Sequence, residues 1–370
     1  MPRRYAWVGA VLEPPGMEAR LGRLCVELDP DAGLLGYGGG CPPGAPVLGG
    51  DSLLAPGLCN AHLHLPDAAV ADAGEDLGLH ELVAQPTGAK YRLLSSTPRS
   101  RVEAAVRDLL RLYRSEGVLV LVGYAEGGFH RLALEAASRE GVLLRVAAQP
   151  AEKRLDEALG LLATGYWVGL DTPLDMEPWE LRALAGAASS RGSRLAAHVS
   201  EDEALARLGD LEAALDAGVH VLVHMTHRGP GAALEAHRAG ASIVFCPAAN
   251  LYFSSHAPDP RGLIALYDEE AAAGLGSDNA AWPPQGVGWL LAAAYTLYRA
   301  GLSGGDRLAL ARSLLYAATT GCGRVASASV GWQIRRVPLL PYSHEPTVAI
   351  VKRLHQSRLL EVVERPAWTG

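Results

Sequence analysis

The chain has 370 residues, of which 49% are hydrophobic and 20% charged, a composition that supports a large core and excludes the disordered and highly charged classes. A formal charge of −7 and a pI near 6.0 give no electrostatic reason to expect a nucleic-acid partner, and no apolar run approaches the roughly 18 residues of a membrane span. Met1-Pro2-Arg3-Arg4 leads into a short mixed strand rather than an apolar signal core, so the expected location is the cytoplasm, without a membrane partner.

From the N-terminus, residues 1–56 read as short strands between Gly/Pro turns, clearest at Arg4–Leu12 and Arg23–Leu28, with Gly36–Pro46 as a connector. Cys25, Cys41, Cys59, Cys246 and Cys322 show no C-x-x-C spacing and read as small buried hydrophobes rather than a disulfide framework. From Leu53 onward short apolar runs alternate with amphipathic stretches. Expected strands are Leu53–Cys59, Val118–Gly123, Val142–Ala148, Tyr166–Leu170, Arg194–Val199, Val219–His224, Ala241–Cys246 and Ala273–Gly276. Helical periods fill most gaps, at Arg101–Glu116, Arg131–Glu140, Glu177–Arg191, Glu201–Ala217 and Arg261–Ala272. Eight strands alternating with helices predict an α/β fold, a (β/α)8 TIM barrel over residues 53–325. Beyond it lie strand-like runs at Gly331–Val337, Thr347–Arg353 and Leu359–Glu364, which predict a small β-sandwich built from residues 1–52 and 326–370. Only Lys90, Lys153 and Lys352 are lysines and only Asn60, Asn250 and Asn279 are asparagines, and so few thermolabile amides would suit a hot source.

The chemistry-bearing residues fall at the C-terminal ends of the expected strands, where barrel enzymes build their sites. The first strand runs into Asn60-Ala61-His62-Leu63-His64, and alternate residues of a strand face one side, so His62 and His64 can chelate one ion. Alone, H-x-H is a weak signal. Further on, His198 with Glu201, His224 with His227, Asn250 after Cys246-Pro247, and Asp278 after Gly276-Ser277 stand at the ends of later strands. A third histidine and an aspartate would complete a ligand set with room for water.

These motifs, P-G-L-C-N-A-H-L-H-L, H-V-S-E, V-H-M-T-H, C-P-A-A-N-L and G-S-D-N, come in the order of the amidohydrolase superfamily, and the chain resembles its cytosine-deaminase-like and S-adenosylhomocysteine-deaminase-like branch. The resemblance implies one divalent metal ion, zinc or iron(II), held by His62, His64, His198 and Asp278. It implies that Asp278 takes a proton from the attacking water, that Glu201 shuttles it to a ring or imine nitrogen, and that His224 stabilises developing charge, with His227 as the other candidate. Asp67, Asn250 and Trp282 are candidate substrate contacts, and the other histidines are assigned packing or surface roles. The strand-four end reads Leu170-Asp171-Thr172 with no lysine beside it, which favours a mononuclear site; it also lacks the histidine of nucleoside-type deaminases. The expected function is deamination of a heterocyclic or amidine-bearing small molecule. The alternatives are hydrolysis of a cyclic amide or imidazolone-type C–N bond on the same site, and a non-catalytic barrel that retains metal. A homodimer is the expected assembly if the chain associates.

Overall fold

The computed structural model describes residues 3–369 except Pro30, Pro86 and Ser255, so Met1 and Pro2 of the N-terminal segment lie outside the described residues. Eight barrel strands occur at Leu58–His64, Val118–Ala125, Leu143–Ala148, Trp167–Leu170, Leu195–Val199, Val221–His224, Ser242–Phe245 and, in two pieces, Ala273–Leu275 with Asp278–Asn279. They pair in chain order as parallel neighbours, and the last piece pairs back onto the first strand, with Asp278 opposite Leu63 and Asn279 opposite His64. The runs are short, β-branched and buried on both faces, as parallel strands under a layer of helices must be. Helix Arg99–Ser115 buries Val102, Val106, Leu109, Leu110 and Tyr113 at three- and four-residue spacing, which turns one stripe toward the barrel. Each such side chain contributes about 1.5–3 kcal/mol by leaving water. Helices His130–Glu140 and Asp210–Ala217 stop at Gly141 and Gly218, whose φ of 69° and 75° glycine adopts without strain.

The expected (β/α)8 barrel is therefore present, and its differences from expectation are local. The run Leu53–Cys59 is two strands, not one. Ser52–Pro56 pairs in the terminal sheet, with Leu54 opposite Ile334, and the barrel strand begins at Leu58. Gly57 makes the break: a Cβ there would sit 2.0 Å from the Val330 carbonyl oxygen, and its N–H donates to Gly331 O at 2.9 Å. The single helix expected over Glu201–Ala217 is split at Gly209, which has φ of 83°. Thr347–Arg353, expected as a strand, belongs to helix Pro346–Arg353. Its β-branched run misleads because packing decides: Thr347, Ala349, Ile350 and Val351 are buried, and the helix lies against helices Val287–Arg299 and Gly304–Ala317.

The terminal segments form a six-stranded sheet in the order Arg358–Glu364, Trp332–Arg336, Ser52–Pro56, Arg4–Glu13, Glu18–Asp29 and Gly33–Gly38, with a separate two-stranded ribbon of Ala328–Ser329 and Ala367–Trp368. Val8, Val11, Val26, Leu28, Leu54 and Ile334 make its core. It is tied to the barrel through Arg335, which is 2% exposed and donates to Glu116 O at 2.5 Å and Ser357 Oγ at 2.9 Å. Burial pushes this guanidinium down to about 10.

The cysteine expectation is overturned. Cys25 pairs with Cys41 inside the terminal sheet region, and Cys59 at the start of the first barrel strand pairs with Cys322; Cys246 alone is free and buried. The second bridge joins residues 263 positions apart, a proximity that only the closed barrel creates. Disulfides persist in oxidising compartments and inside hyperthermophiles, so the cysteines give the expected ordinary cytoplasm no support. Among the described residues no helix is long and apolar enough to cross a membrane.

Candidate metal centre and cleft

The register of the last barrel strand builds the centre. Because Asp278 lies beside Leu63, its carboxylate reaches both histidines of the first strand. His62 Nε2 is 3.1 Å from His64 Nε2 and 3.2 Å from Asp278 Oδ1, and His64 Nε2 is 3.3 Å from the same oxygen. Donor atoms held tetrahedrally by bonds of about 2.0–2.1 Å stand roughly 3.3 Å apart, so this trio already has the spacing of a coordination shell. A pairing irregularity between Asn60 and Leu63 re-aims the strand here. Gly276 is needed beside it, because a Cβ would sit 2.6 Å from His62 Cβ and 2.8 Å from Cys246 Sγ.

His198 closes the set from the opposite side. His62, His198 and His224 form a second trio of donor atoms within 4.8 Å, and Glu201, His224 and Asp278 a third. His198 Nε2 is fully buried with no hydrogen-bond partner. An orphaned imidazole nitrogen grouped with His62, which is itself grouped with His64 and Asp278, fits a divalent ion of zinc or iron(II) type. The protonation pattern suits ligation. Burial pushes His62 down to about 4 and, with help from the neighbouring imidazoles, holds His198 well below its usual value. Burial alone would raise Asp278, but hydrogen bonds with His62 and His64 outweigh it and keep the carboxyl well below its usual range.

Behind these donor groups lies a charged network with no counterpart in the expectations. Glu126, immediately after the second strand, bonds His64 Nδ1 and also takes Lys90 Nζ at 2.7 Å, while Lys90 reaches Asp67 Oδ2 at 3.4 Å. All are buried. Burial opposes a charge on His64, yet Glu126 pushes it up to about 10; its bond to Glu126 keeps a proton on Nδ1, so a metal would bind at Nε2 by displacing the proton there. Burial raises Asp67 to about 6 despite the ammonium.

Glu201 and His224 face each other, Oε2 to Nε2 at 3.6 Å. Glu201 does not cap the next helix; Asp202 does, accepting from Leu205 N–H at 2.9 Å. Burial pushes Glu201 up. Asn250 Nδ2 donates to His224 Nδ1 at 2.9 Å, which leaves the proton of a neutral imidazole on Nε2. His227 instead packs on His256, ring centroids 5.2 Å apart. Four residues at these strand ends adopt left-handed backbone: Ser200 at φ 51°, His224 at 84°, Met225 at 57° and Asp278 at 64°. Such conformations cost about 1–3 kcal/mol each and concentrate where function constrains the chain. A buried clamp holds the first of them: Ser200 Oγ donates to Asp210 Oδ1 at 2.7 Å and accepts from Arg228 Nε at 2.9 Å.

These groups open on a cleft of about 270 Å³ whose wall includes His64, His198, Glu201, His224 and Asp278. None of Asp67, Asn250 and Trp282 stands on that wall. Asp67 is locked to Lys90, Asn250 to His224, and Trp282 donates to Ala73 O at 3.0 Å behind Phe253. The wall instead carries Asp171, Lys90, Lys153 and, at the mouth, His80, which pairs with Asp202 at 3.5 Å. So two of the three lysines are cleft residues, although the end of strand four itself has none. Glu126, Gln149 and Asp171 were all missed, and one signal marks them: each is the first polar residue after an apolar barrel-strand run.

No protein-family model matches the chain. A protein of Methanothermobacter thermautotrophicus, provisionally named an aminohydrolase, is 27% identical over 61% of this chain. The match spans 63% of that relative, less than two thirds of its length. A zinc-bound adenosine deaminase of Xanthomonas campestris has the same fold, with a TM-score of 0.74 at 17% identity over 99% of this chain and 92% of its own. A zinc complex of an atrazine chlorohydrolase of Arthrobacter aurescens gives 0.72 at 16% identity, over 99% and 97%. The chain is thus similar in sequence to an aminohydrolase relative over part of its length, and it shares the fold of zinc-bound deaminase and chlorohydrolase structures along nearly all of it.

Proposed function

We propose that the protein is a metal-dependent aminohydrolase that releases ammonia from a small heterocyclic or amidine-bearing molecule, and that one divalent ion is held by His62, His64, His198 and Asp278. The observation that carries this is the convergence of three donor atoms at 3.1–3.3 Å, with an orphaned His198 nitrogen beside them and Glu201 and His224 facing the same cleft. The bound ion would supply Lewis acidity, making water nucleophilic near neutral pH.

The chain's own residues then divide the proton work. Asp278, ionised and pointed at the ligand nitrogens, accepts the proton that the attacking water gives up. Water oxygen bonds to the sp2 carbon that carries the amino group, and the ring or imine nitrogen becomes more basic as the carbon turns tetrahedral. Glu201 protonates that nitrogen; a carboxyl raised by burial holds its proton closer to neutral pH than an exposed one, which suits a general acid. His224, with its Nε2 proton directed to the cleft by Asn250, stabilises the oxygen's developing charge. The C–N bond breaks as Asp278 passes its proton to the departing amino group, and the new hydroxyl gives its proton to Glu201 as the carbonyl forms, so ammonia leaves and Glu201 is protonated for another cycle.

Ammonia release by zinc-loaded protein over cytosine, guanine, adenosine-type, amidine and imine substrates tests this. Release from one of them that falls in Glu201→Gln supports it. Silence across the set beside ring opening of lactams or imidazolones would move the assignment to cyclic-amide hydrolysis.

A further inference from the structure

Carboxyl groups outnumber lysines in the cleft wall. Asp171, Glu201, Asp202 and Asp278 line it, and the buried pair Asp67 and Glu126 stands directly behind. Among the described residues Lys90 and Lys153 are the lysines that oppose them, and both are already committed, Lys90 to Glu126 at 2.7 Å and Lys153 to Asp175 at 2.8 Å, while His80 at the mouth pairs with Asp202 at 3.5 Å. Within this set Asp171 differs from the rest. Its Oδ1 accepts from Gln149 Nε2, and Gln149 Oε1 accepts from Tyr91 O–H at 3.2 Å, so a relay fixes the carboxylate's orientation. Its Oδ2 is shielded from solvent and accepts no hydrogen bond; its ion pair with Lys153 Nζ, at 3.7 Å, is too long to donate one. A buried, oriented acceptor with no donor is unfavourable unless something brings one.

We propose that Asp171 is a specificity-determining residue that receives an N–H of the substrate, and that the cleft selects a cationic amidine, guanidine or amine over neutral and anionic molecules of the same shape. Burial pushes the Asp171 carboxyl up, as expected of an acceptor that lacks its partner. The cleft volume of about 270 Å³ suits a single-ring molecule. The proposal names the substrate class of the aminohydrolase reading and rests on it for the reaction, but charge selection can be measured without turnover.

The test is calorimetric binding of benzamidine, benzamide and benzoate to zinc-loaded protein. Benzamidine should bind at least about tenfold more tightly than benzamide, with benzoate weakest, since one charge-assisted bond is worth that factor or more. Asp171→Asn should weaken benzamidine by about tenfold while benzamide and zinc stoichiometry stay unchanged, and Asp171→Glu should keep the preference. Equal affinity of wild-type protein for the three probes, no benzamidine bound at millimolar concentration, or full benzamidine affinity in a folded Asp171→Asn protein overturns the proposal. The wild-type ranking decides even if a variant fails to fold. Cation selection without ammonia release from any substrate would retire the deaminase reading alone, and ammonia release with indifference to ligand charge would retire this one alone.

Discussion

Glu126→Gln is the most informative single change, because Glu126 serves two neighbours at once. Its Oε1 holds the Nδ1 proton of His64 and takes Lys90 Nζ at 2.7 Å. A glutamine can still accept from His64, but it removes the charge that makes His64 a strong donor through Nε2. Loss of such an outer partner lowers metal affinity by about 10- to 100-fold, equivalent to about 1.4–2.7 kcal/mol. The same change leaves Lys90 with Asp67 alone, at 3.4 Å, in a site where Lys90 is 2% exposed. Breaking a buried pair on one side costs about 3–5 kcal/mol of stability, so weaker zinc binding could come from a loosened fold. Adding Lys90→Met separates the two effects, since it removes the stranded ammonium. The double variant should melt closer to wild type than Glu126→Gln does, yet still bind zinc about 10- to 100-fold more weakly in competition with a chromophoric chelator. Zinc affinity within about twofold of wild type in Glu126→Gln, or full restoration by Lys90→Met, would refute the reasoning.

Three further outcomes follow from the same geometry. Glu201→Gln should lower kcat for ammonia release by about 10²- to 10⁴-fold with zinc content unchanged, as measured by coupled ammonia assay and metal analysis; unchanged turnover removes Glu201 from the proton path. Asp171 has a folded pKa raised by burial, so benzamidine binding should fall on acidification through a value above the ordinary Asp of about 4. For stability the sign is opposite to the usual salt-bridged acid: the raised value makes ionised Asp171 a cost that grows as pH rises, so Asp171→Asn should melt no lower than wild type at neutral pH. A pH-independent wild-type affinity, or a marked drop in melting temperature for Asp171→Asn, contradicts this. Cys322→Ala opens a loop closed across 263 residues, which loop-closure entropy values at about 5 kcal/mol, or about 6 °C in Tm for a chain of this size. An unchanged Tm in scanning calorimetry would mean that the bridge does not constrain the unfolded chain.

Much of the barrel was legible because parallel strands buried on both faces must be short, apolar and β-branched, and the helices between them must carry one apolar stripe. The candidate-site residues were legible for a related reason: His62, His64, His198, His224 and Asp278 are polar residues at the ends of those runs. Glu126, Gln149 and Asp171 obey that rule equally well but are not histidines, and they passed as ordinary loop residues. Lys90 was hidden more deeply. It comes from helix Ala89–Ser96, well after the first barrel strand, and only the folded loop brings it beneath His64. Asp67, Asn250 and Trp282 lie off the cleft wall, because sequence proximity to a motif does not say which way a side chain turns. The Leu53–Cys59 run and helix Pro346–Arg353 show the other limit: one apolar run can serve two sheets, and β-branched residues turn helical when two helices cover them. The Cys59–Cys322 bridge could not be read at all before the barrel was closed.

The central claim is that His62, His64, His198 and Asp278 share one ion. It is tested most directly by a crystal structure of zinc-loaded protein with anomalous data collected across the zinc edge. One anomalous peak per chain, at about 2.0–2.2 Å from His62 Nε2, His64 Nε2, His198 Nε2 and an Asp278 oxygen, is the predicted result. A peak that leaves out His198 or Asp278, a second peak at the His64–Asp67–Glu126 group, or no peak at all would contradict it.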